Sequence, residues 1–318
     1  MNAGQGRRIL STKGKGTCST LDCTMKFQKS NPQPPDLKKV VIINQDSGYL
    51  MIDIANALAE SGCEVSILTG RLVVRNNPVA SSVRTDKIVR YDRRNNFRRL
   101  LSWLIAFLQI IYKVKIKYRK DYLFIVSNPP LVAFLPLICR NRYSFMVFDI
   151  YPDTLTRMGI LSESSGFIRF WRRINSKVFR RADFVFTLTE SMALQIKGYN
   201  DSGNIKVIPV WSDNKLFRPV AKSENPFILQ HELTGYFIVL YSGNLGSTHN
   251  IEIIPEIASQ VTNTHILFLI IGDGERKKWI QDEIARRGLT NCKLLPLQPV
   301  GEIHNSFASG DVALIAQG

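Results

Sequence analysis

VLYSGNLGSTHNIEIIPEIA, residues 239–258, runs an apolar strand pattern into a glycine-spaced turn and then at once into an amphipathic helix pattern. Gly243 and Gly246 permit backbone conformations and a close approach that a Cβ would block. Ser247 or Thr248 is placed to cap the helix, and the free N–H groups at the helix start, with its positive end, make an anion site. An ordinary βα turn satisfies the same pattern. The spacing is neither G-x-G-x-x-G nor a Walker loop.

On either side of this stretch the same alternation continues. Residues 264–274 (THILFLIIGDG), 291–299 (NCKLLPLQP) and 311–317 (DVALIAQ) read as strands separated by helical patterns. An earlier series starts near Leu37, with strands expected at 38–48, 63–70, 122–127, 143–150, 182–189 and 205–210 and a first helix over 49–62. Short continuous apolar strands alternating with helices predict parallel sheets covered on both faces. Polar residues and prolines interrupt the alternation over 211–227 (WSDNKLFRPVAKSENPF), which sets a domain boundary near residue 220. The expected organisation is therefore a basic, structureless tail over 1–36, a first α/β domain over 37–220 and a smaller one over 221–318. Met25 is a candidate working start. The second series offers only about four strands, small for a doubly wound domain, so a partial second domain is expected.

With 318 residues, 45% hydrophobic and 21% charged, the chain has the profile of a globular protein long enough for two cores. No apolar run reaches the ~20 residues of a membrane span. The N-terminus lacks the apolar core of a signal peptide, so a cytoplasmic protein is expected. Cys18, Cys23, Cys63, Cys139 and Cys292 are scattered, with no C-x-x-C, and the four histidines have no metal-ligand spacing. Residues 1–220 carry 35 Lys+Arg against 16 Asp+Glu, and residues 221–318 carry 7 against 10, so +19 and −3 make up the net +16. A field confined to one half points to a polyanionic partner, nucleic acid or an anionic membrane surface. No RNP, KH, helix-turn-helix or zinc-finger pattern supports nucleic acid.

Three further stretches carry chemistry. In 269–280, LIIGDGERKKWI, Gly272 and Gly274 again separate strand from helix, and Arg276, Lys277 and Lys278 occupy the first helical turn. Cations at a helix N-terminus are unfavourable unless an anion offsets them, which suggests phosphate; a solvated charged face is the alternative. In 145–153, FMVFDIYPD, Asp149 falls at the C-terminal end of a strand, the edge where open α/β sheets bind ligands, and could position or deprotonate a hydroxyl. Asp153, four residues on, reads better as a structural carboxylate. Residues 93–120, RRNNFRRLLSWLIAFLQIIYKVKIKYRK, place a short apolar centre between basic flanks. Such a helix can lie on a membrane, with Trp103 and Phe107 dipping in and Lys113, Lys115 and Lys117 on anionic lipid, or can be a core helix with solvated flanks.

The order of these pieces resembles the retaining GT-B glycosyltransferases of family 4 that build bacterial surface polysaccharides, in particular the colanic-acid and N-acetylfucosamine types. Residues 38–70 are similar to that family's opening strand, glycine loop and first helix. VFDIYPDTLTRMGIL (147–161) is similar to its D-[LI]-Y-P-[DE] segment, and 181–196 with 205–219 to its T-E-x-M and I-P-N-W-x-D passages. Residues 241–252 and 271–280 are similar to its donor-domain turns. The resemblance implies two Rossmann-like domains facing a cleft and a nucleotide-sugar donor as substrate, with no cofactor. Gly48, Gly243, Asn244 and Gly246 would line the donor diphosphate and Lys277 would contact it. Leu297 would mark the backbone that grips the nucleobase, and Asp149 would face the reacting sugar or acceptor. It also implies a lipid-linked glycan acceptor and a peripheral position at the inner face of the plasma membrane. Phe148 stands where the family often has His, His249 near its usual Lys, and Val210 where it has Asn. The family's E-x7-E-type segment would lie beyond Gly318. No D-x-D occurs, so no metal is indicated for the donor. Two other readings are an inactive membrane-associated fragment and a GT-B sugar-nucleotide epimerase.

Overall fold

The computed structural model describes residues 37–318 apart from 76, 93, 158, 160, 213–215, 247–248 and 317–318. The expected tail over 1–36, with Met25, and the caps Ser247 and Thr248 lie outside the described residues. So does Arg93 in the basic flank.

The first half alternates as expected. Strand β1 (Lys39–Ile43) and the short β2 (Asp46–Ser47) lead to α1 (Tyr49–Glu60), then β3 (Glu64–Thr69), β4 (Arg71–Leu72), β5 (Arg84–Lys87) and the long helix α2 (Asn96–Ile116). Next come β6 (Tyr122–Val126), a 3-10 turn at Pro130–Phe134, α3 (Leu135–Ile138), β7 (Tyr143–Val147), α4 (Asp153–Arg157) and α5 (Gly166–Arg181). Strand β8 (Val185–Thr187), α6 (Glu190–Lys197) and β9 (Ile205–Val207) complete it. Seven strands form one parallel sheet in the order β5-β3-β1-β6-β7-β8-β9, and β2 pairs with β4 separately.

Both faces of this sheet are covered, which is why its strands read as unbroken apolar runs. Val41 and Ile43 point to the face packed by Ala106, Ile110 and Val114 of α2 and Val178 of α5. Ile42 points to the opposite face, against Met51 and Ala55 of α1. Helix α1 stops where Gly62 takes φ 91°, a left-handed conformation a side chain would resist. Strand β5, with the sequence RTDK, carries no apolar run and is exposed at the sheet edge. Its pairing with β3, not its own pattern, makes it a strand.

After the interrupted stretch come α7 (Pro226–Gln230), β10 (Phe237–Asn244), α8 (Ile253–Gln260), β11 (Ile266–Asp273), α9 (Lys277–Arg287), β12 (Cys292–Leu295), α10 (Ile303–Ala308) and β13 (Val312–Ala313). Four parallel strands in the order β12-β11-β10-β13 form the second sheet. Asn225 caps α7, accepting from the Phe227 N–H, and its amide donates to the Asn305 carbonyl at 2.8 Å, joining the connecting stretch to α10. Helix α8 does not follow the glycine turn at once. It begins at Ile253, with Glu252 at its N-cap and no side-chain cap. The backbone first turns at His249, whose N–H donates to the Gly246 carbonyl.

Candidate active site

In the first sheet the strand order runs outward in opposite directions from β1 and β6, and ligands of open α/β sheets bind at the strand ends of such a switch point. A cavity of about 540 Å³ lies there. Asn44 reaches it from the end of β1, Asp46 from β2, Gly48 and Tyr49 from the start of α1, and Ser127 and Asn128 from the end of β6. Phe148, Asp149 and Tyr151 enter from the end of β7, and Tyr91 and Trp103 close it from the α2 side.

The turn bearing Asp149 is held by the strand beside it. Ser127 Oγ accepts from the backbone N–H of Phe148 at 3.0 Å and of Asp149 at 3.3 Å. Asp149 is exposed on its open side, and partial desolvation of its carboxyl by the surrounding walls raises it above the ordinary carboxylate value. Gly48 sits opposite with φ −98°, and a Cβ there would meet nothing within 4 Å, so its missing side chain enlarges the cavity without serving protein packing. Two lining atoms, Asn44 Oδ1 and Trp103 Nε1, are buried with no hydrogen-bond partner in the protein. One accepts and the other donates, which suits a ligand rich in hydroxyls. Asn44, Tyr91 and Ser127 were not foreseen as site residues, and Trp103 was expected at a membrane, not at this cavity. Asn44 and Ser127 could have been, since each directly follows an apolar strand. Asp153 is structural, as its sequence context suggested: Arg172 reaches it at 2.7 Å and the Tyr199 hydroxyl at 2.6 Å.

The glycine turns of the second half are laced to each other. Gly243 and Asn244 end β10 in register with Gly272 and Asp273 of β11. The Leu245 N–H donates to the Asp273 carbonyl and the Arg276 N–H to the Leu245 carbonyl, both at 2.9 Å. A Cβ on Gly272 would lie 2.3 Å from the Gly243 carbonyl oxygen, and one on Gly274 2.4 Å from that of Leu245. These two glycines are therefore required by backbone packing within the protein. A Cβ on Gly243 would meet only the Tyr241 side chain, at 3.5 Å, and one on Gly246 the side-chain amide of Asn244.

The cations expected to face an anion have acidic neighbours in the fold. Lys277 lies 3.5 Å from Asp273 and Arg276 3.2 Å from Glu252. Lys277 opens α9, with Arg276 at its N-cap. Leu297 follows β12 in an irregular, exposed loop, with its neighbour Pro296 accepting a hydrogen bond from the Gln298 amide.

Helix α2 presents a different face from the one expected. Trp103 stacks on Tyr91 and lines the cavity, and Phe107 packs against the main core. Lys113 and Lys117 reach back to Asp86 of β5 at 2.5 and 3.0 Å, and the Tyr118 hydroxyl joins them at 2.9 Å. Burial alone would raise the Asp86 carboxyl, but these donors hold it down at about 2. Gln45, fully buried, donates to the Val89 and Ser102 carbonyls and fixes the same inward face. The outward face carries Phe97, Leu100, Leu104, Leu108, Tyr112 and Ile116, each exposed, with Lys115 among them. So the membrane contact assigned to Trp103 and Phe107 is corrected, since both pack on the protein; Lys113 and Lys117 pair with Asp86, although Lys117 stays exposed, and Lys115 is exposed as well. No helix of the described residues is long and apolar enough to cross a membrane.

Two parallel α/β sheets, with a cavity at the switch point of the first, define a GT-B glycosyltransferase architecture. A family profile described as a glycosyl transferase 4-like domain matches residues 51–211, about half of the chain. The chain belongs to this family of glycosyltransferases, family 4. It is 26% identical over 287 residues to the probable glycosyltransferase WbjE of Pseudomonas aeruginosa, an alignment covering 86% of this chain and 70% of that protein. It is 30% identical over 194 residues to the putative colanic acid biosynthesis glycosyl transferase WcaI of Escherichia coli, covering 59% of this chain and 47% of that one, so the match spans about half of WcaI. Among solved structures, HepE of Anabaena in complex with UDP and glucose superposes with a TM-score of 0.62 at 15% identity, over 88% of this chain and 74% of HepE.

Proposed function

We propose that this chain is a retaining, metal-independent glycosyltransferase with its acceptor side in the first sheet and its donor side in the second. It moves a sugar from a nucleotide-sugar donor to a hydroxyl of a lipid-linked glycan during cell-surface polysaccharide biosynthesis. The observation that carries the reading is Asp149, an acid of raised affinity for its proton at the rim of a cavity whose walls hold an unpartnered acceptor and an unpartnered donor. The UDP and glucose bound by HepE, and the polysaccharide role in the name of WcaI, support the donor class and the pathway.

The hard step in such a transfer is charge build-up on the departing nucleoside diphosphate, which preorganised N–H dipoles can stabilise. The turns at Gly243, Asn244 and Gly246 offer such dipoles, with Gly48 leaving space from the other lobe. Lys277 would leave Asp273 for the diphosphate, and the backbone around Leu297 would hold the base. The enzyme works at the anionic inner face of the plasma membrane. Its contact there is the outward face of α2 with Lys115, supported by the basic balance of residues 1–220. Calorimetry with UDP and GDP on the purified chain tests the donor assignment. Saturable binding of one of them is expected, and no heat with either overturns it.

A further inference from the structure

Beside the Asp149 cavity, across the Tyr91–Trp103 stack, lies a second and wider groove of about 1090 Å³. Arg71, Arg90, Arg94 and Arg98 line it, and Asp92 is the one acid among its described lining. Two of the arginines are already engaged. Arg71 is paired with Asp46 through two bonds of 2.7 Å, and Arg94 grips Asp92. Arg98 approaches Asp92 only to 3.9 Å, and Arg90 is exposed at the mouth. The groove also holds the start of α2, a 21-residue helix with no acid in its first turn, so its positive end adds to the arginines. Like charges at that end are unfavourable until an anion arrives.

The third part of the groove is apolar. Phe97, Leu101 and Ile105 line it and belong also to the exposed outward face of α2. Three chemistries therefore meet around the first turns of this helix: a cavity suited to hydroxyls, a cluster of guanidiniums, and an exposed apolar face. A lipid-linked sugar has the same three parts. Planar guanidiniums are suited to phosphate oxygens.

We propose that the arginine groove seats the anchor phosphate of the lipid-linked acceptor, with its glycan reaching into the Asp149 cavity and its hydrocarbon chain leaving along Phe97, Leu101 and Ile105. This rests on the lipid-linked acceptor of the proposed function and adds the group by which that acceptor is held. Because the groove adjoins the cavity, separated only by the Tyr91 wall, the glycan between phosphate and reacting hydroxyl is short. The reaction consumes the product of an early glycosyl transfer onto the lipid carrier.

The test uses the full chain and a soluble probe, geranyl diphosphate, with inorganic diphosphate, geraniol and UDP as separate arms, followed by calorimetry and tryptophan fluorescence. Geranyl diphosphate is expected to bind saturably and about tenfold or more tighter than inorganic diphosphate, with geraniol giving no binding. Arg90→Ala and Arg98→Ala are each expected to weaken it about tenfold, the loss of one charge-assisted contact, while UDP affinity stays unchanged. Saturating UDP is expected not to displace it. Displacement by UDP, equal affinity for inorganic diphosphate, or unaltered binding in both variants overturns the inference. If UDP binds and geranyl diphosphate does not, the inference alone falls. If neither binds, the proposed function falls with it.

Discussion

Tyr91 and Trp103 stack with ring centroids 5.7 Å apart and planes 13° from parallel. Tyr91 belongs to the segment between β5 and α2, and Trp103 to the second turn of α2, so the stack ties the helix to the segment that leads into it. Tyr91 lines both the Asp149 cavity and the arginine groove, Trp103 lines the cavity, and the Arg99 guanidinium lies 5.6 Å over the Trp103 ring. The indole Nε1 is buried without a hydrogen-bond partner in the protein.

Replacing Trp103 with Phe keeps an aromatic ring on Tyr91 and removes Nε1. If that N–H binds an acceptor hydroxyl, kcat/KM for the acceptor drops about tenfold, in line with one buried hydrogen bond left unmade. UDP affinity and melting temperature should stay near those of the native protein. A variant with native acceptor kinetics removes the N–H from the mechanism.

Asp149→Asn is expected to lower transfer about a hundredfold or more while leaving UDP bound. Since burial raises the Asp149 carboxyl, the acid limb of the native kcat/KM profile should lie above the ordinary aspartate value of ~3.9. The sign for stability is the reverse of an ion-paired acid. Ionisation is disfavoured in the fold, so the carboxylate lowers stability as pH rises past its unfolded value, and the Asn variant should melt slightly higher at neutral pH. A profile flat down to pH 4 would rule out the role.

Asp86 behaves in the opposite way. Lys113, Lys117 and the Tyr118 hydroxyl hold its carboxyl at about 2, so its stabilisation is complete above ~4 and is lost as pH falls toward 2. Asp86→Asn should cost about 2 kcal/mol in urea unfolding at pH 7, and the gap should close over that acid window. The end of α2 should fray with it, seen as faster amide exchange near residues 113–118. Equal stability at pH 7 would show the cluster to be dispensable.

Glycines of similar appearance in the sequence should respond differently to alanine. Gly272→Ala forces a Cβ to 2.3 Å from the Gly243 carbonyl oxygen and should cost more than about 2 kcal/mol, with UDP binding weakened through displacement of the paired turn. Gly48→Ala meets open space and should change stability by less than about 1 kcal/mol, yet reduce transfer by filling the cavity. Comparable melting of the two variants would contradict this division.

Leu104 and Leu108 stand at the centre of the outward face of α2. The double change Leu104→Glu/Leu108→Glu should release the chain from vesicles of phosphatidylglycerol in a sedimentation assay, because burying each such side chain contributes about 1.5–3 kcal/mol. Charge reversal at Lys115 should weaken the same binding. Reversal at Lys113 or Lys117 would instead break the Asp86 cluster and so confuse folding with lipid contact. A double variant that still sediments, or a native chain in which these two leucines are shielded by a second copy in solution, would take the membrane away from this face.

Much of the fold was legible because it is local. Strands β1, β3, β6, β7, β10 and β11 are continuous apolar runs ending at Gly, Ser or Asp, and their alternation with helices implies a parallel sheet. Asp149 was legible as a strand-end carboxylate for the same reason. The inward face of α2 was not, since apolar residues occupy nearly its whole circumference and periodicity cannot say which side packs. Partners remote in sequence choose: Val41, Gln45 and Asp86 draw Ala106, Ser102 and Lys113 inward, and Leu104 is left outside.

The amino-acid sequence by itself determined the two α/β series, the basic excess of the first and the position of Asp149 just past a strand end, because strand period, turn residues and charge are properties of neighbours along the chain. The tertiary structure alone decided that Gly48 borders a cavity while Gly272 and Gly274 are packed against the neighbouring turn, and that Trp103 faces inward. Those outcomes depend on which atoms meet across the fold, and close packing allows a Cβ, an indole or a guanidinium only where distant segments leave room for it.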